Sequence, residues 1–154
     1  MAEIKVNGDI RIMDGTTKLR TLKEINTELS NLINNKKILY SNGAGSVGNI
    51  TLNDYITKFK YIEISGFANS NDNVTYKTAF CNRFRRISGT YTYNLLANLY
   101  VGSTYEYLAC ENITLSETSK ILTRSNATYF QVFGTTKGHA QFNITDVVGY
   151  VSES

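Results

Sequence analysis

Few residues of this sequence have the types and spacing that catalysis needs. The single histidine, His139, follows Thr135-Thr136-Lys137-Gly138 and reads as an ordinary surface residue of a loop. The two cysteines, Cys81 and Cys110, are too few for a disulfide framework and are expected as partly buried thiols, with one bridge as the alternative. A Cys-His pair is conceivable, but nothing local would activate a thiolate. With one histidine and no paired-cysteine motif, no metal site and no cofactor are expected. Gly43-Ala44-Gly45-Ser46-Val47-Gly48 matches the bare spacing of a dinucleotide loop, yet a β pattern and not a helix follows it, so it reads as a flexible loop. A glycosidase requires two carboxylates at a set separation. Asp54, Glu63, Asp72, Glu106, Glu111, Glu117 and Asp146 are scattered along strands and turns, and no pair stands out. The expectation is a protein that is not an enzyme.

Binding is easier to build. The chain has eleven tyrosines and no tryptophan. A tyrosine offers a flat apolar face and a hydroxyl that bonds to water or ligand. Tyr91, Tyr93, Tyr105 and Tyr107 are the candidate ligand-binding residues, with sheet and interface packing as the plainer role for each. Charged residues make up 19% of the chain, and Asn, Thr and Ser fill much of the polar surface. Such a surface suits contact with sugars and with other chains, because little charge must be desolvated. The net charge of +3 falls short of a nucleic-acid binder. The only dense basic cluster is Arg83, Arg85 and Arg86; on a strand the first two share a face and the third opposes them. Asn-x-Thr triplets at Asn49, Asn73, Asn112, Asn126 and Asn143 are the chance product of an Asn- and Thr-rich chain.

The elements that must position these residues begin with a small hairpin. Ile4 and Val6 alternate with polar residues, Asn7-Gly8-Asp9 can turn, Ile10 and Ile12 alternate again, and Asp14-Gly15 marks a second turn. One helix follows, from about Leu22 to Asn35, with Thr21 and Glu24 forming a capping box and Lys36 and Lys37 closing its C-terminal end. Leu22, Ile25, Leu29 and Leu32 are spaced 3-4-3, as in a heptad seam, and Ile33 widens the stripe. Two readings stand: a helix packed on the chain's own sheet, or a short parallel coiled coil between chains that needs support from neighbouring elements.

From Ile38 the pattern is β throughout. Phe59–Ser65 is a strong strand of aromatic and β-branched residues. Val74–Ile87 is a long strand or a hairpin. Thr90–Val101 carries Tyr91, Tyr93, Leu95, Leu99 and Val101 on one face, and Tyr105–Leu115 carries Tyr105, Tyr107, Ala109, Ile113 and Leu115 on one face. Ile121–Arg124, Tyr129–Phe133 and Gln141–Val151 complete the set, with turns at Asn69–Asn73, Ser88-Gly89 and Gly102-Ser103. Many short strands between turn signals predict a mainly β fold, a sandwich or barrel, and of the two an antiparallel β-sandwich head over residues 38–154 is the expectation. The hairpin and helix of residues 1–37 precede it as a stalk or oligomerisation segment. No apolar leader opens the chain and no run is long enough to cross a bilayer, so a protein made in the cytosol is expected, one that stays soluble or leaves by a route other than secretion, such as cell lysis.

Three stretches carry a resemblance. They are Ile38-Leu39-Tyr40 with the Gly-rich loop and Asn49-Ile50-Thr51-Leu52; Phe59-Lys60-Tyr61-Ile62-Glu63-Ile64; and Asn143-Ile144-Thr145-Asp146-Val147-Val148-Gly149-Tyr150. In these the chain resembles the C-terminal head domain of phage and prophage tail-fibre or receptor-binding proteins of Gram-positive bacteria. The resemblance implies a homotrimer with a thin stalk before a β head that grips a host cell-surface polysaccharide or protein. It also implies a place in the virion tail beside other tail proteins, after assembly in the host cytoplasm. Members of such families carry a tail-attachment region ahead of the stalk. This chain begins almost at the stalk, as a small accessory or tip subunit would. Two other functions compete: a structural virion or tail-assembly protein without a receptor, and a hydrolase of cell-wall glycan.

Overall fold

The computed structural model describes residues 11–14, 17–70, 73–100, 106–125, 127–131 and 137–152. The chain divides after Lys36 into two compact units. In the first, β1 (Arg11–Asp14) and β2 (Thr17–Thr21) form an antiparallel hairpin with an irregularity between Ile12 and Met13. The hairpin expected around Asn7-Gly8 lies outside the described residues. Helix α1 (Leu22–Asn34) begins at the capping box read from the sequence. Thr21 Oγ1 accepts the Glu24 N–H at 3.1 Å, and the Glu24 carboxylate accepts the Thr21 N–H at 2.7 Å. Two donors at the helix start are thereby satisfied.

The C-terminal end differs from expectation. The helix stops at Asn34, and Lys36 and Lys37 open a strand, so no basic residue lies in the last turn. Lys37 belongs instead with the second unit, where Asp54 holds it at 2.8 Å.

The second unit is mainly β and sandwich-like. Its strands are β3 (Lys36–Ser46), β4 (Ile50–Thr51), β5 (Tyr61–Ser70), β6 (Asn73–Arg85), β7 (Thr90–Tyr100), β8 (Glu106–Ser116), β9 (Ile121–Arg124), β10 (Thr128–Gln131) and β11 (Lys137–Tyr150). A single 3-10 turn, Ile56–Lys58, precedes β5. β8 pairs with β7 along its whole length and with β9 and then β10 on its other edge. β11 pairs with β5 from Ala140 to Tyr150, with β10 from Lys137 to His139, and with β3. β5 pairs onward with β6. The segment Ser41–Ser46, which composition makes a loop, is the second half of β3. His139 likewise sits on a strand, paired with Thr128, and not in a loop.

Alternation aims the core. On β7 Leu95, Ala97 and Leu99 point inward, and on β8 Ala109, Ile113 and Leu115 do so, as the odd-numbered pattern predicts. They meet Ile62, Ile64 and Ala68 of β5 and Phe142, Ile144 and Val147 of β11 in one continuous cluster. Each large side chain buried there contributes roughly 1.5–3 kcal/mol. Phe80 and Phe142 meet edge to face at 5.1 Å between ring centroids. β11 changes phase between Ile144 and Val147 because the ladder with β5 slips there, with Ile144 opposite Gly66 and Asp146 opposite Ser65. The extra residue is a bulge, and it keeps both halves of the strand facing the core. Gly66 admits it: a Cβ at that position would lie 2.0 Å from the Asn143 carbonyl oxygen.

Candidate functional site

Two places in the β unit gather polar chemistry, and neither centres on the residues favoured by sequence. The first is the outer face of β5, β6 and β11. Pairing sets Tyr61 directly opposite Tyr150, and Glu63 opposite both Arg83 and Val148. The Arg83 guanidinium lies 4.3 Å from the Tyr150 ring centroid and 5.0 Å from that of Tyr61, within cation–π range of both. Tyr150 donates its hydroxyl to Glu63 at 3.2 Å. Partial burial, then the Glu63 charge and hydrogen bond, push the Tyr150 hydroxyl above its ordinary pKa, so it remains a donor at neutral pH. Farther along the face the Lys77 ammonium sits 4.5 Å over the Phe67 ring. The result is a flat strip of rings, cations and a carboxylate.

The second place is inside the sandwich. Glu111 of β8 and Arg124 at the end of β9 are 2% and 5% exposed at their side chains. Arg124 grips both carboxylate oxygens, Nε to Oε1 and Nη2 to Oε2, each at 2.5 Å. It also donates to the Ser46 carbonyl at 2.5 Å and the Phe142 carbonyl at 2.7 Å. Those carbonyls belong to β3 and β11, so one guanidinium ties β8 and β9 to two other strands. Burial raises the Glu111 carboxyl above its ordinary pKa, and the Arg124 hydrogen bonds and charge pull it back in part. An open cleft of about 190 Å³, lined also by Val47, Ser125, Ala127 and Gln141, lies beside the pair.

Of the tyrosines expected to bind, Tyr93 supports the fold. Its ring packs on Phe84 at 4.9 Å, and its hydroxyl accepts from the Ile87 N–H and donates to the Arg85 carbonyl. Tyr91 is 41% exposed and makes no comparable set of bonds among the described residues. Tyr105 and the side chain of Tyr107 lie outside the described residues. Arg86 points away from Arg83 and Arg85, as the strand reading requires; it donates to the Phe59 carbonyl at 2.9 Å and pairs with Glu117. Both cysteines are free. Burial first, and then Glu63 for Cys81 and Glu111 for Cys110, raise their pKa, so neither is poised as a thiolate. No group of three or more metal-ligating side chains occurs among the described residues.

In the first unit, Leu22 and Leu29 of α1 are 38% and 49% exposed, and Ile25 is half-buried. The side chain of Leu32 lies outside the described residues. Among those residues no helix is long and apolar enough to cross a membrane.

Sequence reasoning missed Glu111 although a signal was present. It falls on the inward phase of β8, between Ala109 and Ile113, and a carboxylate at an apolar position demands a buried partner. Tyr61 and Tyr150 gave no such signal, because only the β5–β11 register brings them together. Comparison with known protein families, with characterised proteins and with solved structures finds no match for this chain.

Proposed function

We propose that the chain is a non-catalytic receptor-binding tip protein of a phage or prophage tail fibre, a homotrimer whose β heads attach to a host cell-surface polysaccharide. The observation that carries this reading is the exposure of Leu22 and Leu29 on α1, 38% and 49%, beside a β unit that closes its own core. Leucines at heptad spacing that lie in water lose the stabilisation of burial unless another copy covers them. In the trimer, Leu22, Ile25, Leu29 and Leu32 of three copies cover one another. The strip of Tyr61, Glu63, Arg83 and Tyr150 is the surface offered to the polysaccharide: ring faces suit the apolar side of a sugar, and Glu63 and Arg83 suit its hydroxyls.

The chemistry of Glu111 speaks against the hydrolase alternative. Both its oxygens are engaged by one guanidinium, and it is the only carboxylate lining its cleft among the described residues. A glycosidase needs a protonated acid and a second carboxylate within reach.

The test is the solution mass with a host-cell binding assay. The expected mass is three times the 17.3 kDa chain, and Leu29→Asp is expected to reduce it to one. Labelled wild-type protein is expected to sediment with host cells. A wild-type monomer, or a trimer that ignores host cells, would sink the reading.

A further inference from the structure

Two long strands of the β unit meet at edges that no ladder joins. Among the described residues β6 pairs only with β5, and β7 only with β8. The two follow one another in the chain, with residues 86–89 between them. Strands so connected ordinarily pair as a hairpin. Here an open cleft of about 520 Å³ lies along the seam, lined by Ala79, Cys81 and Asn82 of β6 and by Leu96 and Asn98 of β7.

Side chains take the place of the missing ladder. Asn82 Nδ2 donates to the Leu96 carbonyl at 3.0 Å, and the Leu96 N–H donates to Asn82 Oδ1 at 2.9 Å. The Tyr93 hydroxyl accepts from the Ile87 N–H at 3.2 Å and donates to the Arg85 carbonyl at 3.4 Å. A hairpin ladder centred on Gly89 would set Asn82 opposite Leu96 and Arg85 opposite Tyr93, so both contacts keep the register of the ladder they replace. In an antiparallel ladder one residue of the neighbouring strand exchanges both its N–H and its C=O with the residue opposite. At Leu96 a single side-chain amide does the same, on the edge that faces away from β8.

The sequence of β7 makes that contact matter. Thr90–Tyr100 contains no charged residue, no proline and no glycine, and its ladder with β8 runs from end to end without a bulge. An uncharged edge of this length is a template for a further strand, because the features that discourage such pairing are charges, prolines and bulges. β6 differs. It carries Lys77, Arg83 and Arg85 and no carboxylate, so two copies of its edge repel each other. Two copies of β7 meet without opposing charge, and an edge that pairs antiparallel with its own copy is self-complementary.

We propose that the Asn82 amide guards the β7 edge: it fills the hydrogen-bonding position at Leu96 that otherwise takes the β7 strand of a second copy. The inference makes no use of helix α1 and stands apart from the trimer reading.

The experiment compares the full-length wild type with Asn82→Ala, by backbone amide hydrogen exchange and by light scattering over a concentration series. At the lowest concentration the Leu96 amide of the variant is expected to exchange roughly fivefold faster, the effect of losing one hydrogen bond. At higher concentration the variant is expected to form a species heavier than wild type. A second variant adds Leu96→Lys to Asn82→Ala. Leu96 is 45% exposed, so a lysine is accommodated there, and it sets like charges against each other where two β7 edges meet. The heavier species is expected to disappear in this double variant. The inference is overturned if Leu96 exchange is unchanged in Asn82→Ala, or if the mass equals that of wild type at every concentration. It is equally overturned if the heavier species survives the lysine, or if it forms only with loss of the folded amide spectrum, which would make it a product of unfolding. Because each comparison is with wild type, the result holds whether wild type is one chain or three.

Discussion

The two units of this chain treat their apolar residues in opposite ways. The β unit draws Phe142, Ile64, Leu95 and Ile113 to nearly complete burial. The helix of the N-terminal unit, with the same kinds of side chain, leaves Leu22 and Leu29 partly exposed. A two-stranded hairpin and one thirteen-residue helix bury too little by themselves to be stable in isolation. The contrast sets a part that closes its own core beside a part whose leucines stay partly exposed, and under the proposed trimer it makes stability and assembly separable properties.

Phe142→Ala should affect the head most. It deletes a fully buried ring and its edge-to-face partner contact with Phe80, at a cost of about 3–5 kcal/mol. A urea melt reads this as a large fall in midpoint, and an unchanged midpoint would mean the core is not where the structure has it. Arg124→Ala comes next. It leaves the Glu111 carboxylate buried without its partner, an effect of about 3–5 kcal/mol at most. Replacing both residues, Glu111→Leu with Arg124→Met, should recover much of that loss, and a double variant as unstable as the single one would contradict the desolvation argument.

A smaller effect concerns acid. Asp54 accepts from Lys37 at 2.8 Å, Lys58 at 3.0 Å and the Tyr55 N–H at 2.8 Å, and these hold its carboxyl far below the usual carboxylate range. A group depressed in the folded state stabilises the fold above its unfolded pKa, and that contribution is lost as pH falls below about 4. Asp54→Asn should therefore lower stability at neutral pH and flatten the decline on the acid side, read from melts across a pH series. Glu111 acts in the opposite sense. Its carboxyl is raised, so its contribution is complete at pH below the ordinary Glu value and fades as pH rises through the raised one. The slope that remains in Asp54→Asn should have that sign.

Leu29→Asp should touch the head least of all. If the proposed trimer holds, the solution mass should fall to that of one chain while the urea midpoint of the β unit stays where it was. A shift in that midpoint would join what the comparison separates.

Much of the architecture was legible because it depends on local periodicity. The capping box at Thr21 and Glu24 and the odd-numbered inward faces of β7 and β8 follow from side-chain chemistry and the two-residue repeat of a strand. The failures were tertiary. Ser41–Ser46 has loop composition, but β11 offers β3 a partner and the ladder overrides propensity. Lys36 and Lys37 suit a helix end, yet Asp54 draws Lys37 into the β unit. The bulge near Thr145 is invisible without Gly66 opposite it. The polar strip was missed for the same reason: Tyr61, Arg83 and Tyr150 are neighbours only through the β5–β6 and β5–β11 registers, whereas the tyrosines first chosen were close in sequence.

The pairing of β11 has a consequence for how the protein is made. This strand, the last described in the chain, is hydrogen-bonded to β3, β5 and β10, and it carries Phe142, Ile144 and Val147 into the core. A nascent chain that has not yet released residues 137–150 from the ribosome holds the edges of β5 and β10 open and lacks the wall on which the earlier strands close. The head cannot mature in order of synthesis. It waits for β11 and then forms through contacts distant in sequence, which is slow and leaves apolar strands exposed meanwhile. A translation product cut short before residue 137 would consequently be an aggregating polypeptide and not a weaker version of the head.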